Sequence, residues 1–169
     1  NELFNELVKT SNYKNRNKQI KKFNNNNKYL KKGISITPVK FGISFTTTFL
    51  NQAGALVHIY TDGSVNLNHG GIEMGQGTLT KIAQLAANEL GLPFERIKIT
   101  STNTSKVPNT SASAASTTTD LNGAAVLNAI NKLKENLHAY VKKTYSYNTQ
   151  NVKYKNQMII FKNKKFKFN

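Results

Sequence analysis

Apolar residues recur at helical spacing near the start of the chain. Leu3, Phe4, Leu7 and Val8 share one face, and Ile20 and Phe23 resume it, which predicts a helix over 3–23. The asparagine run 24–27 breaks that pattern. From Lys32 the period shortens to two: Ile34 and Ile36, then Val39, Phe41, Ile43 and Phe45, with Pro38 between. That alternation predicts a strand with a bend or an edge position at the proline. Ala55–Tyr60 is rich in β-formers, Asp62-Gly63 follows, and alternation resumes at Val65, which together predict a hairpin. Leu79, Ile82, Ala83, Ala86 and Leu90 then lie on one helical face, with Gly91 and Pro93 as stop signals. Ile97 and Ile99 alternate in a short strand. Residues 101–119 are mostly Ser, Thr, Asn and Ala and read as a loop. A second amphipathic helix follows, with Val126, Ile130, Leu133 and Leu137 as its stripe, and 154–168 carries a weak β pattern. Strands and helices interspersed in this way predict an α+β, mixed α/β fold.

Composition changes this picture little. The 169 residues suffice for one domain, there is no cysteine, and no apolar run is long enough to span a membrane. Disulfides, thiolate-held zinc and protein-ligated iron–sulfur clusters are therefore excluded within the chain. The N-terminus lacks an apolar signal core. The chain starts at Asn1 without a Met and stops in a lysine-rich pattern, so both ends read as cuts.

The net charge of +16 raises nucleic-acid binding as a possibility. Its distribution argues otherwise. Residues 1–32 hold nine Lys/Arg and two acids, and 141–169 hold eight Lys and no acid, whereas 33–140 hold seven basic and six acidic residues. The excess lies in asparagine-rich flanks, as expected for solvated, compositionally drifting segments. Neither a nucleic-acid partner nor a membrane is expected.

Three segments could carry chemistry. His69-Gly-Gly-Ile-Glu-Met-Gly-Gln-Gly77 joins the hairpin to a helix, and its glycines let the backbone approach a ligand closely. The helix start after Gly77 is expected to offer unfilled N–H groups and a positive dipole end to an anionic group, with Gln76 as an added amide. The segment is neither a Walker loop nor a dinucleotide fingerprint. Pro108-Asn-Thr-Ser-Ala-Ser-Ala-Ala-Ser-Thr-Thr-Thr-Asp120 could cap the second helix or line a narrow slot with hydroxyl and N–H donors. In Phe41-Gly-Ile-Ser-Phe-Thr46, Phe45 could lie against a flat heterocycle while Thr46 donates to it, or Phe45 could be an ordinary strand residue. His58, His69 and His138 lack metal-ligand spacing. His58 reads as a strand residue, His138 as surface, and Asp62 and Glu73 as isolated structural acids.

Taken in order, these segments resemble the molybdenum-binding part of the xanthine dehydrogenase/aldehyde oxidase family. The resemblance runs through Lys31–Thr46, Leu50–Val65, Gly70–Gly77, Ser105–Ser116 and Asp120-Leu-Asn-Gly123. It is strongest over about 30–139, with 1–29 and 140–169 as divergent flanks, and it covers 1–169 as a fragment of a molybdopterin-binding domain. It implies that Gly75, Gln76 and Gly77 form one cofactor loop, and Ala114, Ala115, Ser116, Thr117, Thr118 and Thr119 a second. Ala115, Phe45 and Thr46 would face a purine.

The cofactor would be molybdenum-molybdopterin, with 2Fe-2S clusters and FAD in the complete enzyme. The implied reaction is hydroxylation of hypoxanthine and xanthine to urate with water-derived oxygen. The implied setting is a cytoplasmic homo-oligomer with iron–sulfur and flavin modules. The resemblance places the catalytic glutamate base in a segment this sequence does not contain, so no catalytic or metal-ligating residue is assigned here and the chain alone is expected to be inactive. The Phe-Gly-Ile-Ser-Phe-Thr and Ala-Ala-Ser runs resemble the xanthine branch more than the aldehyde oxidases. An aldehyde oxidase-type hydroxylase and an inactive relic remain the alternatives.

Overall fold

A computed structural model describes residues 2–43, 45–106, 109–146, 152–161 and 164–168. Ser44 and Pro108, each inside a segment singled out above, lie outside the described residues. So do residues 162 and 163 of the C-terminal β pattern. The chain divides into two compact units, Asn1–Gly42 and Ile43–Asn169.

In the first unit the expected single helix is two, α1 (Glu2–Thr10) and α2 (Tyr13–Asn26). The break falls at Ser11-Asn12, where Asn12 takes a left-handed conformation, φ 50°. Thr, Ser and Asn in succession are weak helix formers, and Asn tolerates that region. Neither helix buries a residue within the unit, and the α1 face bearing Leu3, Phe4 and Leu7 is exposed. The strand expected over 34–45 is absent among its described residues. Alternation alone cannot hold a strand without a partner for its N–H and C=O groups. None pairs here, and Val39 and Phe41 are 85% and 69% exposed.

The second unit is built on the predicted hairpin. Strands β1 (Ala55–Ile59) and β2 (Val65–His69) pair antiparallel, with Val57 opposite Leu67. The Asp62-Gly63 turn between them is closed by the Tyr60 amide donating to the Ser64 carbonyl at 2.9 Å. Helix α3 (Thr78–Leu90) crosses over to β3 (Ile97–Ile99), which runs parallel to β2, so the sheet order is β1-β2-β3. Helix α4 (Thr118–Tyr145) packs beside α3 over the same sheet. The core is where the three meet: Val65 and Leu67 from the sheet, Ile82, Ala86 and Leu90 from α3, Val126 and Ile130 from α4. Their spacing is two on the strand and three to four on the helices, so one buried face serves each element.

Gly91 ends α3 as the sequence predicts. It is left-handed, φ 66°, and a Cβ there would lie 2.5 Å from the Tyr154 backbone. The C-terminal meander, β4 (Lys153–Lys155), β5 (Met158–Phe161) and β6 (Lys164–Lys167), docks at this point through the Gln157 amide on the Gly91 carbonyl. Tyr154 lies against His138, ring centroids 6.1 Å apart, and under the Lys134 ammonium, which also pairs with Glu89. Burial pushes the Tyr154 phenol up to about 12 and the His138 imidazole down, the latter helped by Lys134. His138 is thus half-buried in packing rather than on the open surface expected.

Candidate functional site

The ends of β2 and β3 deliver two turns to the same place. Beyond Leu67, period-two alternation carries His69 into the interior, where it is 1% exposed. Its Nδ1 accepts the Gly71 amide at 3.1 Å, and its Nε2 is buried without a hydrogen-bond partner. Burial lowers its basicity, so the ring is neutral at pH 7 with its proton on Nε2. The Thr102 hydroxyl, just past β3, reaches both the His69 and Gly71 carbonyls, at 3.2 and 3.1 Å. Gly71 fits only as glycine: an added Cβ would lie 2.9 Å from Thr118 Cγ2 and 3.1 Å from Asn122 Nδ2. The first turn thereby rests on the start of α4.

The hydroxyl-rich turn connects to the first one directly. The Ser113 hydroxyl accepts the Ile72 amide at 2.9 Å. On its other side Ser111 accepts the Gln52 amide at 2.8 Å and donates to the Leu50 carbonyl, while the Ser111 amide donates to the Gln52 carbonyl at 2.8 Å. Asn51, between those two, donates its amide to the Phe45 carbonyl at 3.1 Å. Hydrogen bonds joined by short stretches of backbone thus link Phe45, the 109–117 turn and the Gln76 turn. Phe45 and Thr46 are both exposed beside it.

The two helix starts differ. At α3 the expectation of unfilled amides is not met. The Glu73 carboxylate accepts the Gly75 and Gly77 amides, each at 2.9 Å, and the Leu79 amide at 3.0 Å. These bonds hold its carboxyl below the ordinary carboxylate range. Gln76 folds onto its own turn: its Oε1 accepts the Met74 amide at 2.6 Å and its Nε2 donates to the Ile72 carbonyl at 2.8 Å. Periodicity gave no sign of Glu73 in this position, although an acid just ahead of a helix is the relevant signal.

At α4 no side chain caps the first turn among the described residues. The Thr117 hydroxyl donates backward to the Ala114 carbonyl at 3.0 Å. Ala115 and Ser116 ahead of it are both left-handed, φ 50° and 57°. Two non-glycine residues in that region cost roughly 1–2 kcal/mol each, a strain typical of backbone shaped for a ligand. Successive turned amides ahead of an uncapped helix form an anion-receiving concavity. Thr118 is buried, Thr119 half-buried and Ser116 exposed. Among the described residues no three His, Asp or Glu side chains cluster, and no helix is long and apolar enough to cross a membrane.

Comparison with known proteins identifies the family. A family model described as "Molybdopterin cofactor-binding domain" matches residues 6–169. Over 135 residues, 80% of this chain, the sequence is 53% identical to a xanthine dehydrogenase of Blastobotrys adeninivorans, covering 10% of that protein. It is 55% identical over 132 residues, 78% of this chain, to a xanthine dehydrogenase/oxidase of Gallus gallus, again 10% of its length. The chain thus spans about a tenth of the curated relatives it matches. Among solved structures, a reconstituted CO dehydrogenase from Oligotropha carboxidovorans superposes with a TM-score of 0.62 and 26% identity, over 70% of this chain and 15% of that one.

Proposed function

Because this chain belongs to the molybdopterin cofactor-binding domain family, we propose that it forms the cofactor cradle and part of the purine pocket of a xanthine dehydrogenase-type hydroxylase. The complete enzyme oxidises hypoxanthine and xanthine to urate and passes electrons to 2Fe-2S and FAD modules. It works as a cytoplasmic homo-oligomer, as the family likeness implies. When bound, the molybdenum-pterin group supplies the hydroxyl transfer and accepts the substrate's electron pair. The chain's own residues bind and orient.

The observation that carries this reading is the set of hydrogen bonds, joined by short stretches of backbone, from Phe45 through Asn51, Gln52, Ser111 and Ser113 to Ile72. It supports a single hollow shared by three segments far apart in sequence. The concavity before α4 suits the anionic end of the cofactor through the amides of Ser116, Thr118 and Thr119, the Thr117 amide being bonded to the Ala114 carbonyl at 3.1 Å. Gly75, Gln76 and Gly77 border the pterin with a turn whose Gly75 and Gly77 amides are held by Glu73 and whose Gln76 Nε2 keeps one N–H beyond its bond to Ile72, and Ala114 and Ala115 leave room beside it. Phe45 stacks on the purine ring, Thr46 hydrogen-bonds its edge, and Ala115 closes the slot. The 53% identity to a xanthine dehydrogenase supports the purine branch.

The full-length enzyme, purified and analysed for molybdenum and pterin, then assayed with hypoxanthine and xanthine, tests this. Stoichiometric pterin with urate as product is expected. Pterin-free protein, or turnover of aldehydes with none of xanthine, contradicts it.

A further inference from the structure

The turn between β2 and α3 contains an acid that the proposed function leaves without a task. Glu73 lies on the exposed side of the turn, yet its carboxylate accepts three backbone amides, from Gly75, Gly77 and Leu79, at 2.9, 2.9 and 3.0 Å. One side chain therefore closes the glycine turn and also fills the N-terminal end of α3. Gln76 sits within the same arrangement. Its carboxamide bonds the Met74 amide and the Ile72 carbonyl, and its own carbonyl accepts the Lys81 ammonium at 3.0 Å. Without the carboxylate, three amides of a turn containing Gly75 and Gly77 lose their common acceptor, and glycine backbone has many alternative conformations to adopt.

The geometry points to Glu73 as a positioning residue for the cofactor. It holds the Gln76 turn in its receiving shape and, by placing an ionised carboxylate on the Gly77 and Leu79 amides, leaves α4 as the helix start that favours an anionic group. This rests on the function proposed above. Glu73 acts through Gln76 and the turn backbone and needs no contact with the cofactor itself. The cap also repels a second anion, because an ionised carboxylate already occupies the dipole end of α3.

The test uses the full-length enzyme with Glu73→Ala and Glu73→Gln, the latter keeping one acceptor oxygen. Pterin retention is followed during dialysis, and amide hydrogen exchange is read separately for the turn and for β2. Glu73→Ala is expected to lose pterin about tenfold faster than wild type, the size of effect seen when a group supporting a ligand-holding shell is removed. Glu73→Gln is expected to fall between the two. Exchange should accelerate at Gly75, Gly77 and Leu79 while Val65 and Leu67 in β2 stay protected.

Equal retention in Glu73→Ala and wild type overturns the assignment. So does a Glu73→Gln no better than Glu73→Ala, or a loss of protection in β2 as large as that in the turn, which makes the effect one of folding. Wild-type enzyme that carries no pterin removes the underlying function and the assignment together.

Discussion

The Ile72 amide donates to the Ser113 hydroxyl at 2.9 Å across 41 positions of sequence. That bond is the direct tie between the glycine turn and the hydroxyl turn. Ser113→Ala removes the acceptor while leaving both backbones free to hold their shapes. Because the site is open to water, the Ile72 amide can be solvated, and the expected local cost is about 1 kcal/mol. Faster exchange at Ile72, with Leu67 unchanged, is the expected outcome.

Two glycines separate the site from the scaffold. At Gly71 an alanine Cβ would meet Thr118, Asn122 and His69 at 2.9–3.2 Å. Gly71→Ala should therefore push the glycine turn off α4 and destabilise the unit by about 1–3 kcal/mol. Pterin content of the full-length enzyme should fall with it. At Gly91 the obstacle is the Tyr154 backbone at 2.5 Å, added to a left-handed φ. Gly91→Ala should loosen the C-terminal meander, seen as faster exchange at Gln157, whose amide bonds Gly91. Pterin content should stay at the wild-type level, since no cofactor turn touches that position.

His69 makes the first turn sensitive to pH. Its Nδ1 accepts the Gly71 amide and must be unprotonated to do so. Burial depresses its folded value below its unfolded one, near 6.5. The unfolded state then takes up a proton first as pH falls, so stability drops with falling pH. His69's contribution is whole above the unfolded value. It declines as pH falls from there through the folded value. His138 shifts in the same direction, so the comparison must be between wild type and His69→Asn, which keeps an acceptor oxygen. The protection factor of the Gly71 amide should decline below about pH 6.5 in wild type and stay flat in the variant. Equal declines in both would assign the effect elsewhere.

Local signals in the sequence were enough for the elements that local chemistry decides. Asp62-Gly63 places the hairpin turn, Gly91 and Pro93 end α3, and the described residues of the hydroxyl-rich stretch form a loop as far as Thr117, with α4 taking the last two, Thr118 and Thr119. The α+β class follows from those alone. The parallel pairing of β2 with β3 does not, because it depends on a crossover packing that no periodicity encodes. The strand expected over 34–45 fails for a related reason: alternation states a preference for a half-buried sheet, and no sheet receives it among the described residues.

At the site, the burial of His69 was not expected from the sequence, although it continues the alternation of the strand before it. Val65 and Leu67 are core, and two further residues along the strand reach the same face. The role of Glu73 was not legible, because its three partners are backbone amides whose convergence depends on turn geometry. The same holds for the strained pair Ala115-Ser116, whose residue types give no hint of a left-handed backbone.

The most direct test is the structure of the full-length enzyme with its cofactor bound. The account predicts the pterin between the Gly75–Gly77 and Ala114–Thr119 turns, its anionic end within hydrogen-bond distance of the α4 first-turn amides, and Phe45 within van der Waals contact of a bound purine. A pterin lodged away from both turns, or its anionic end on the α3 amides with Glu73 displaced, would contradict it.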